Sequence, residues 1–261
     1  MLQAHTSLWH YLWIAPNVFL LTLGVLIWIR GLARQFPAFC AFAVLTATGH
    51  LALYVADVSP SVSPTNFWRV EWARLLIESV LKFAVVAEIF SHVFGSYASL
   101  ARLGRIMIRS VGVVLVFASA LAAAHTPQDG QFGIISGVHL LEQTTDLIET
   151  GLLIFIFLFA ASFHLRFERP LLGIALGLAA SGCVHLATWA IFTNAHWSNP
   201  KRVPLDFVNM GTFHAAVLIW SYYLLFPYKL ASKAFAYKPP VELRENNLAV
   251  WNRELERLLH S

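Results

Sequence analysis

Charged side chains recur every three or four residues along one predicted helix. Glu71, Arg74, Glu78 and Lys82 lie within one apolar segment, and at about 100° per residue they share one stripe of a helix surface. Opposite charges four residues apart can neutralise one another, as Arg74 with Glu78 and Glu78 with Lys82. An ionisable group inside a membrane costs about 3 kcal/mol or more. The stripe therefore predicts a charged partner or a polar cavity.

A second polar stripe lies in the apolar segment from Phe132 to Phe163. Its members are His139, Glu142, Asp146 and Glu149. Carboxylates in lipid without partners would be protonated or would unfold the segment. Arg74 and Lys82 are the available counter-charges, so we expect the two segments to face each other. The sequence thus predicts a buried ion-pair network, formed by Arg74, Lys82, Asp146 and Glu149.

Four histidines in separate apolar segments are expected at a similar depth. They are His50, His139, His185 and His214. With a rise of about 1.5 Å per residue, each falls in the outer half of a membrane, as do Glu78 and Glu142. The sequence therefore predicts an outward-opening His/carboxylate pocket lined by these six residues. Two plainer interpretations stay open: hydrogen-bonded structural histidines, and an ion-pair clasp that only holds the helices together.

The same histidines are the candidates for a metal or haem site. Imidazole is a ligand for Zn, Cu and Fe, so His50, His139, His185 and His214 would be the ligands of any metal. The sequence has no His-Glu-x-x-His and no Cys-x-x-Cys motif, and no catalytic motif favours an enzyme. The cofactor thus stays unknown. Microbial rhodopsins need a lysine within the last span, and Lys229 stands only at its cytoplasmic end, which argues against retinal.

Composition places these residues in a membrane protein. The chain of 261 residues is 58% hydrophobic and 12% charged, whereas soluble domains carry about 25% charged residues. Seven segments reach the length of about 20 apolar residues that spans a bilayer. They are Leu8–Ile29, Phe36–Ala56, Phe67–Phe94, Ile106–Ala124, Phe132–Phe163, Leu171–Thr193 and Phe207–Leu230. Backbone groups in lipid must bond within the element, so we expect an all-α, polytopic protein.

Basic residues predict the orientation of these spans. If the amino terminus is outside, thirteen Lys and Arg lie on the cytoplasmic side and three on the outer side. Positive charge favours the cytoplasmic side of short loops, which predicts an N-out, C-in protein of the plasma membrane. The basic residues are then explained by topology, which argues against nucleic acid as a partner. An outer aromatic belt is expected from Trp9, Trp13, Trp68, Trp72 and Trp197.

A weak repeat relates two of the predicted spans. Pro37 precedes His50 and Pro170 precedes His185 by similar distances, and both histidines are followed by Leu-Ala. Two parallel three-helix units joined by the fourth span would explain this 3+1+3 pattern. Chance similarity between Ala- and Leu-rich helices explains it equally well.

The chain is expected to divide into a bundle, residues 1–238, and a cytoplasmic tail helix, residues 239–261. In the tail, Leu248, Trp251, Leu255 and Leu258 lie three or four apart among charged residues, which is typical of an amphipathic helix. Such a helix would lie on the inner membrane surface. The alternative is a docking segment for a cytoplasmic protein.

Two motifs resemble a known family. Arg34-Gln35-Phe36-Pro37 is the first, and Glu88-Ile89-Phe90-Ser91-His92-Val93-Phe94 with Leu100-Ala101-Arg102-Leu103-Gly104-Arg105 is the second. Together they resemble an uncharacterised family of bacterial seven-helix membrane proteins, over the first half of the chain. The resemblance implies a bacterial inner membrane and assigns no active-site residue.

Three functions fit these features. The first is a receptor or sensor whose outer pocket binds a small ligand, an ion or a proton, since histidine titrates near neutral pH. The second is a proton- or ion-coupled secondary transporter, favoured by the buried acids and the repeat. The third is a metal- or haem-binding redox protein. We favour the first as the working hypothesis.

Overall fold

The computed structural model describes residues 6–59, 61–94, 131–162, 167–194 and 199–226, together with residues 106, 110, 113 and 250. For 131–142, 162, 192–194 and 199–203 it describes the backbone only. The regular elements in these ranges are all helical, as predicted. They are α1 (Ser7–Ile29), α2 (Pro37–Val58), α3 (Pro64–Phe94), α4 (Gln131–Ser162), α5 (Arg169–Asn194) and α6 (Asn199–Leu225), with a 3₁₀ turn at Leu32–Arg34.

Four helical segments are long and apolar enough to cross a membrane. They are Ser7–Ile29, Pro37–Val58, Gln143–Ala161 and Arg169–Ile191. The predicted fourth span, Ile106–Ala124, lies outside the described residues except for three helical positions. The tail from 239 to 261 also lies outside them, except for Val250. The count of seven spans and the 3+1+3 repeat therefore stay predictions.

Helix starts differ from the predicted ones where proline is involved. α3 begins at Pro64 rather than Phe67, and the Ser63 hydroxyl accepts a hydrogen bond from the Asn66 amide at 3.3 Å. α6 begins at Asn199 rather than Phe207. The sequence suggested loops because these stretches contain proline. Proline is tolerated in the first turn of a helix, however, because amides there have no intrahelical partner. This explains Pro64 and Pro200, whereas Pro204 lies inside α6 and removes one backbone hydrogen bond.

The six helices pack as a ring. Each helix contacts the next along the chain, α3 packs directly on α4, and α6 returns to contact α1. The close approach of α5 and α6 depends on Gly173 and Gly177, which have the Gly-x-x-x-Gly spacing of packed membrane helices. A Cβ at Gly173 would lie 2.2 Å from Tyr223 Cβ. Only glycine therefore permits this helix pair to pack so closely.

Side chains buried in the ring form two apolar clusters at its opposite ends. The larger cluster, which we call the apolar core, contains Leu20, Leu23 and Ile27 of α1. It also contains side chains from the other five helices, including Phe39, Ile89 and Trp220. The smaller, the aromatic cluster, is formed by Trp9, Trp13, Leu53 and Phe67. Trp9 and Trp13 were predicted in an interfacial belt, but they pack inside the bundle, with 3% and 7% of their surface exposed. Contacts with α2 and α3 bury them.

The amino-terminal end of α2 is capped by a side chain from another helix. α2 has no capping side chain of its own at Phe36. Instead the Glu88 carboxylate of α3 accepts hydrogen bonds from the amides of Ala38 (3.0 Å) and Phe39 (3.1 Å). His92, one turn after Glu88, stacks on Phe36 at 5.2 Å between ring centroids. The two motifs that carry the family resemblance are therefore joined in one interhelical contact.

Replacing Glu88 with alanine is expected to destabilise the protein by about 1 to 2 kcal/mol, the cost of losing a helix cap. Glu88→Gln should lose less, because the amide oxygen still accepts a hydrogen bond. Thermal unfolding of the purified protein, followed by circular dichroism, measures both. Unchanged stability in Glu88→Ala would contradict the capping role.

Candidate functional site

Ionisable side chains occupy one layer of the bundle, between the apolar core and the aromatic cluster. On α1, for example, the aromatic cluster ends at Trp13 and the apolar core begins at Leu20. On α3 the aromatic cluster ends at Phe67 and the apolar core begins at Val85. The charged stripe lies between these two residues. We call this the polar layer. Its ionisable members are His50, Glu71, Arg74, Glu78, Lys82, Asp146, Glu149 and His185.

Arg74 joins α2 and α3 within the polar layer. Its Nε and Nη2 donate to the two carboxylate oxygens of Glu71, at 2.6 and 2.8 Å. Its Nη1 donates to Glu78 Oε2 and also lies 2.6 Å from His50 Nε2 on α2. The guanidinium side chain is only 10% exposed. A nearly buried cation is thus surrounded by two carboxylates and one imidazole.

Gly49 explains how Arg74 reaches α2. A Cβ at Gly49 would lie 3.1 Å from Arg74 Cγ, closer than most Cβ contacts in proteins. The arginine stem therefore crosses the surface of α2 at the residue next to His50. Across the ring, the imidazole of His50 stacks on Phe213 of α6, with 5.8 Å between centroids and 12° between planes. Stacking on Phe213 sets the plane of the His50 ring.

Lys82 is the centre of a second group of charges. Its Nζ lies 2.9 Å from Asp146 Oδ1 and 3.4 Å from Glu149 Oε2, both on α4. It also lies 3.9 Å from Glu78 Oε1 on its own helix. Asp146 and Glu149 are 2% and 1% exposed. One ammonium group thus pairs with two buried carboxylates of another helix. Through Glu78, it also connects them to Arg74 and its partners.

Asp146 extends the polar layer to α5. Its second oxygen, Oδ2, lies 2.5 Å from His185 Nδ1, so the carboxylate and the imidazole are in direct contact. One turn further along α5, the Thr188 hydroxyl donates to the Asn209 amide oxygen of α6 at 2.8 Å. The polar contacts therefore run from α2 through α3, α4 and α5 to α6.

Among the described side chains of the polar layer, carboxylates outnumber the permanently charged cations. Four carboxylates, those of Glu71, Glu78, Asp146 and Glu149, face two cations, Arg74 and Lys82. Burial of unbalanced charge is costly, and buried groups take up protons or cations instead. Each imidazole lies beside a carboxylate, and His50 and His185 are also the more accessible members, with side chains 26% and 31% exposed. The layer is therefore suited to accept positive charge.

The structure brings together some of the residues predicted for the pocket and places another elsewhere. His50, Glu78 and His185 belong to the polar layer. His214 lies on the α1 side of α6, with ring centroids 6.1 Å from Tyr11 and 5.8 Å from Phe19. Helix rotation, which one sequence does not reveal, turns it toward α1. The side chains of His139 and Glu142 lie outside the described residues.

Several buried polar atoms in or beside the layer have no hydrogen-bond partner among the described residues. Glu149 Oε2 and His214 Nδ1 belong to predicted site residues, whereas Asn17 Oδ1, Thr46 Oγ1 and Thr150 Oγ1 belong to residues that were not predicted. Buried polar groups are normally bonded to protein or to ordered water. Asn17 could have been noticed in the sequence as an amide inside an apolar span. Thr46 and Thr150 carry no such signal, because threonine is common in membrane helices.

Groups of three or more His, Cys, Asp or Glu side chains that could hold a metal are not found in the described part of the chain. Among the histidines named as metal candidates, His50 and His185 contact different carboxylates, and His214 faces aromatic rings. These three imidazoles therefore do not converge on one point.

Comparisons of the chain with models of protein families, with curated proteins and with solved structures find no match. The function is therefore inferred from the geometry of the polar layer.

Proposed function

We propose that this protein is an integral membrane binding protein of the receptor or sensor type, and that its polar layer binds a small ligand, an ion or a proton. The observation that carries the proposal is the unbalanced charge: four carboxylates and two cations share a layer closed by apolar clusters. Such a charge deficit inside a bundle is expensive unless a positively charged ligand or protons occupy the layer.

The proposal includes seven membrane spans with the amino terminus outside. α3 packs between α2 and α4, and α6 packs between α5 and α1, so each runs beside helices that are apolar enough to cross a membrane. α3 has 31 residues and α6 has 27, and both lengths exceed the roughly 20 residues that a span needs. The charged stripe lowers the hydropathy of α3 without preventing it from spanning, because α2 and α4 cover the charges. The basic residues then give the orientation.

Access to the polar layer favours binding over passage across the membrane. The apolar core fills the half of the bundle that is predicted to face the cytoplasm, with side chains from all six helices. Among the described side chains, the smaller aromatic cluster lies between the layer and the opposite end. We propose that a ligand reaches the layer from that end.

A stability assay with simple probes tests the proposal. The full chain in lipid nanodiscs contains nine tryptophans, so unfolding can be followed by intrinsic fluorescence while pH is lowered, or while Na⁺, K⁺, Ca²⁺ or ammonium replaces choline. At least one probe is expected to raise Tm in the wild type. The increase should be smaller in Glu149→Gln, which removes a buried charge of the layer.

Glu88→Gln is the matched control, since it makes the same chemical change outside the polar layer. It should lower Tm slightly but respond to the probe as the wild type does. If no probe shifts the Tm of the wild type, or if Glu149→Gln responds fully, binding in the polar layer is contradicted.

A coupled secondary transporter is the second candidate. It is favoured by the continuity of the contacts from Arg74 through Glu78 and Lys82 to Asp146 and His185, which link α3, α4 and α5 in one chain of ionisable groups. Proton flux into proteoliposomes, measured with an entrapped pH dye, distinguishes the two. Flux that Glu149→Gln abolishes would identify a transporter, and a Tm response without flux would favour the receptor.

A further inference from the structure

His50 Nε2 lies close to a hydrogen-bond donor and to an acceptor that contact each other. Arg74 Nη1 is 2.6 Å away, and Glu78 Oε2 is 3.4 Å away. A guanidinium group only donates. The contact with Arg74 therefore requires an Nε2 without a proton, and the ring then carries its hydrogen on Nδ1. A contact with Glu78 has the opposite requirement, because a carboxylate accepts and Nε2 must carry the proton.

The two contacts are therefore alternatives, selected by the protonation of His50. Without a proton on Nε2, the ring accepts from Arg74, as the short distance indicates. With both nitrogens protonated, Nε2–H would be repelled by the guanidinium and would donate to Glu78. The 3.4 Å separation from Glu78 needs only a small movement of the ring, and stacking on Phe213 permits movement within the ring plane.

The neighbouring charges favour one proton at this position. On α3, Arg74 is already held by Glu71 through two hydrogen bonds, so it keeps a counter-charge when His50 turns away. Glu78 is also 3.9 Å from Lys82. α6 contributes the apolar Phe213 ring to the contact. Other ionisable groups on the described parts of these helices include Asp57 on α2, His10 and Tyr11 on α1, Arg69, Glu88 and His92 on α3, and Asp206 and His214 on α6. His10 contacts Tyr54, and Tyr11 contacts His214.

We propose that His50 is the proton-binding residue of the polar layer, and that proton uptake moves Nε2 from Arg74 to Glu78. This deepens the proposed function, on which it rests, by naming the proton as a ligand of the site. The proton adds to a bare ring nitrogen and no other bond is broken. The hydrogen bond between α2 and α3 is thereby exchanged for an ion pair between the same helices.

Nitrogen-15 NMR of histidine tests the proposal in the full-length protein in nanodiscs, because ring nitrogen shifts distinguish the two neutral tautomers from imidazolium. The His50 signal is assigned as the one that His50→Gln removes. At alkaline pH we expect the tautomer with hydrogen on Nδ1 and a bare Nε2. As the pH is lowered, both nitrogens should become protonated.

Two carboxylate variants make the test specific. Glu78→Gln removes the negative charge that stabilises the protonated ring, so the proton affinity of His50 should fall tenfold or more. Glu71→Gln removes the same charge from the far side of Arg74, where it does not contact His50, and should have a smaller effect. His92→Gln, which removes an imidazole at the α2–α3 contact outside the layer, should leave the His50 signal unchanged.

The alternative results are distinct. A His50 ring with hydrogen on Nε2 throughout the titration, or one that stays neutral, would overturn the proposal, as would equal effects of Glu78→Gln and Glu71→Gln. If His50→Gln does not fold, the signal can be assigned instead by its loss of proton affinity in Glu78→Gln. A Tm response to a metal ion or ammonium, with a His50 that does not titrate, would leave the proposed function standing and reject this inference alone.

Discussion

Replacing Lys82 with methionine is expected to destabilise the protein by about 3 to 5 kcal/mol, the usual cost of breaking a buried ion pair by removing one partner. Methionine keeps most of the volume of the lysine stem but removes the charge. Asp146 and Glu149, which are 2% and 1% exposed, would lose the ammonium group that lies 2.9 and 3.4 Å from them. Thermal unfolding of the purified variant, or its yield in the membrane fraction, measures the loss.

Two further variants separate charge from packing. Arg69→Met removes a positive charge from an exposed position of the same helix and should change stability little. Lys82→Met combined with Asp146→Asn and Glu149→Gln leaves no orphan carboxylate near position 82 and should recover much of the loss. If the triple variant is less stable than Lys82→Met alone, the ion pairs do not account for the effect of Lys82.

Gly177→Ala is expected to have the second-largest effect, a loss of about 2 to 4 kcal/mol from overpacking and a broken hydrogen bond. The added Cβ would lie 2.2 Å from Trp220 Nε1 and 2.7 Å from Cε2. Trp220 is 1% exposed and donates to the Ile174 carbonyl at 3.2 Å. It also packs against Phe39 and Phe42. The ring has no room to move without separating α5 from α6.

Gly151→Ala is the matched control, because a Cβ at Gly151 would meet nothing within 4 Å. There the same substitution should stabilise the helix by about 0.5 to 1 kcal/mol, since glycine is a poor residue inside helices. Urea or thermal unfolding of the two variants gives the comparison. Similar effects at both positions would show that the close approach of α5 and α6 does not depend on Gly177.

The sequence by itself determined that this is an all-helical protein with apolar helices of membrane length. That inference needs only the run of apolar residues and the requirement that backbone groups bond within each helix. The spacing of Glu71, Arg74, Glu78 and Lys82 also places them on one helix face, because helical periodicity is a local property. The Gly173–Gly177 spacing was present in the sequence too, although it does not say which helix packs against it.

Contacts between helices could be inferred only where charge constrained them. Asp146 and Glu149 needed cations, and Lys82 was one of two available, so the facing of α3 and α4 follows from electrostatics. No charge requirement in the sequence related Glu88 to the start of α2. That contact depends on the depth at which the two helices meet. The Arg34–Pro37 and Glu88–Phe94 motifs could be noticed as a pair but not explained.

The tertiary structure alone decided which of the predicted site residues meet. His50 and His214 were expected at similar depths, yet His50 faces Arg74 and His214 faces Tyr11 and Phe19. Depth follows from the rise per residue, which is the same in every helix. The direction of a side chain depends on helix rotation, which is set by the packing of large rings such as Trp220 against glycines on the neighbouring helix. That packing involves several helices at once, and so it cannot be derived from any one segment of the sequence.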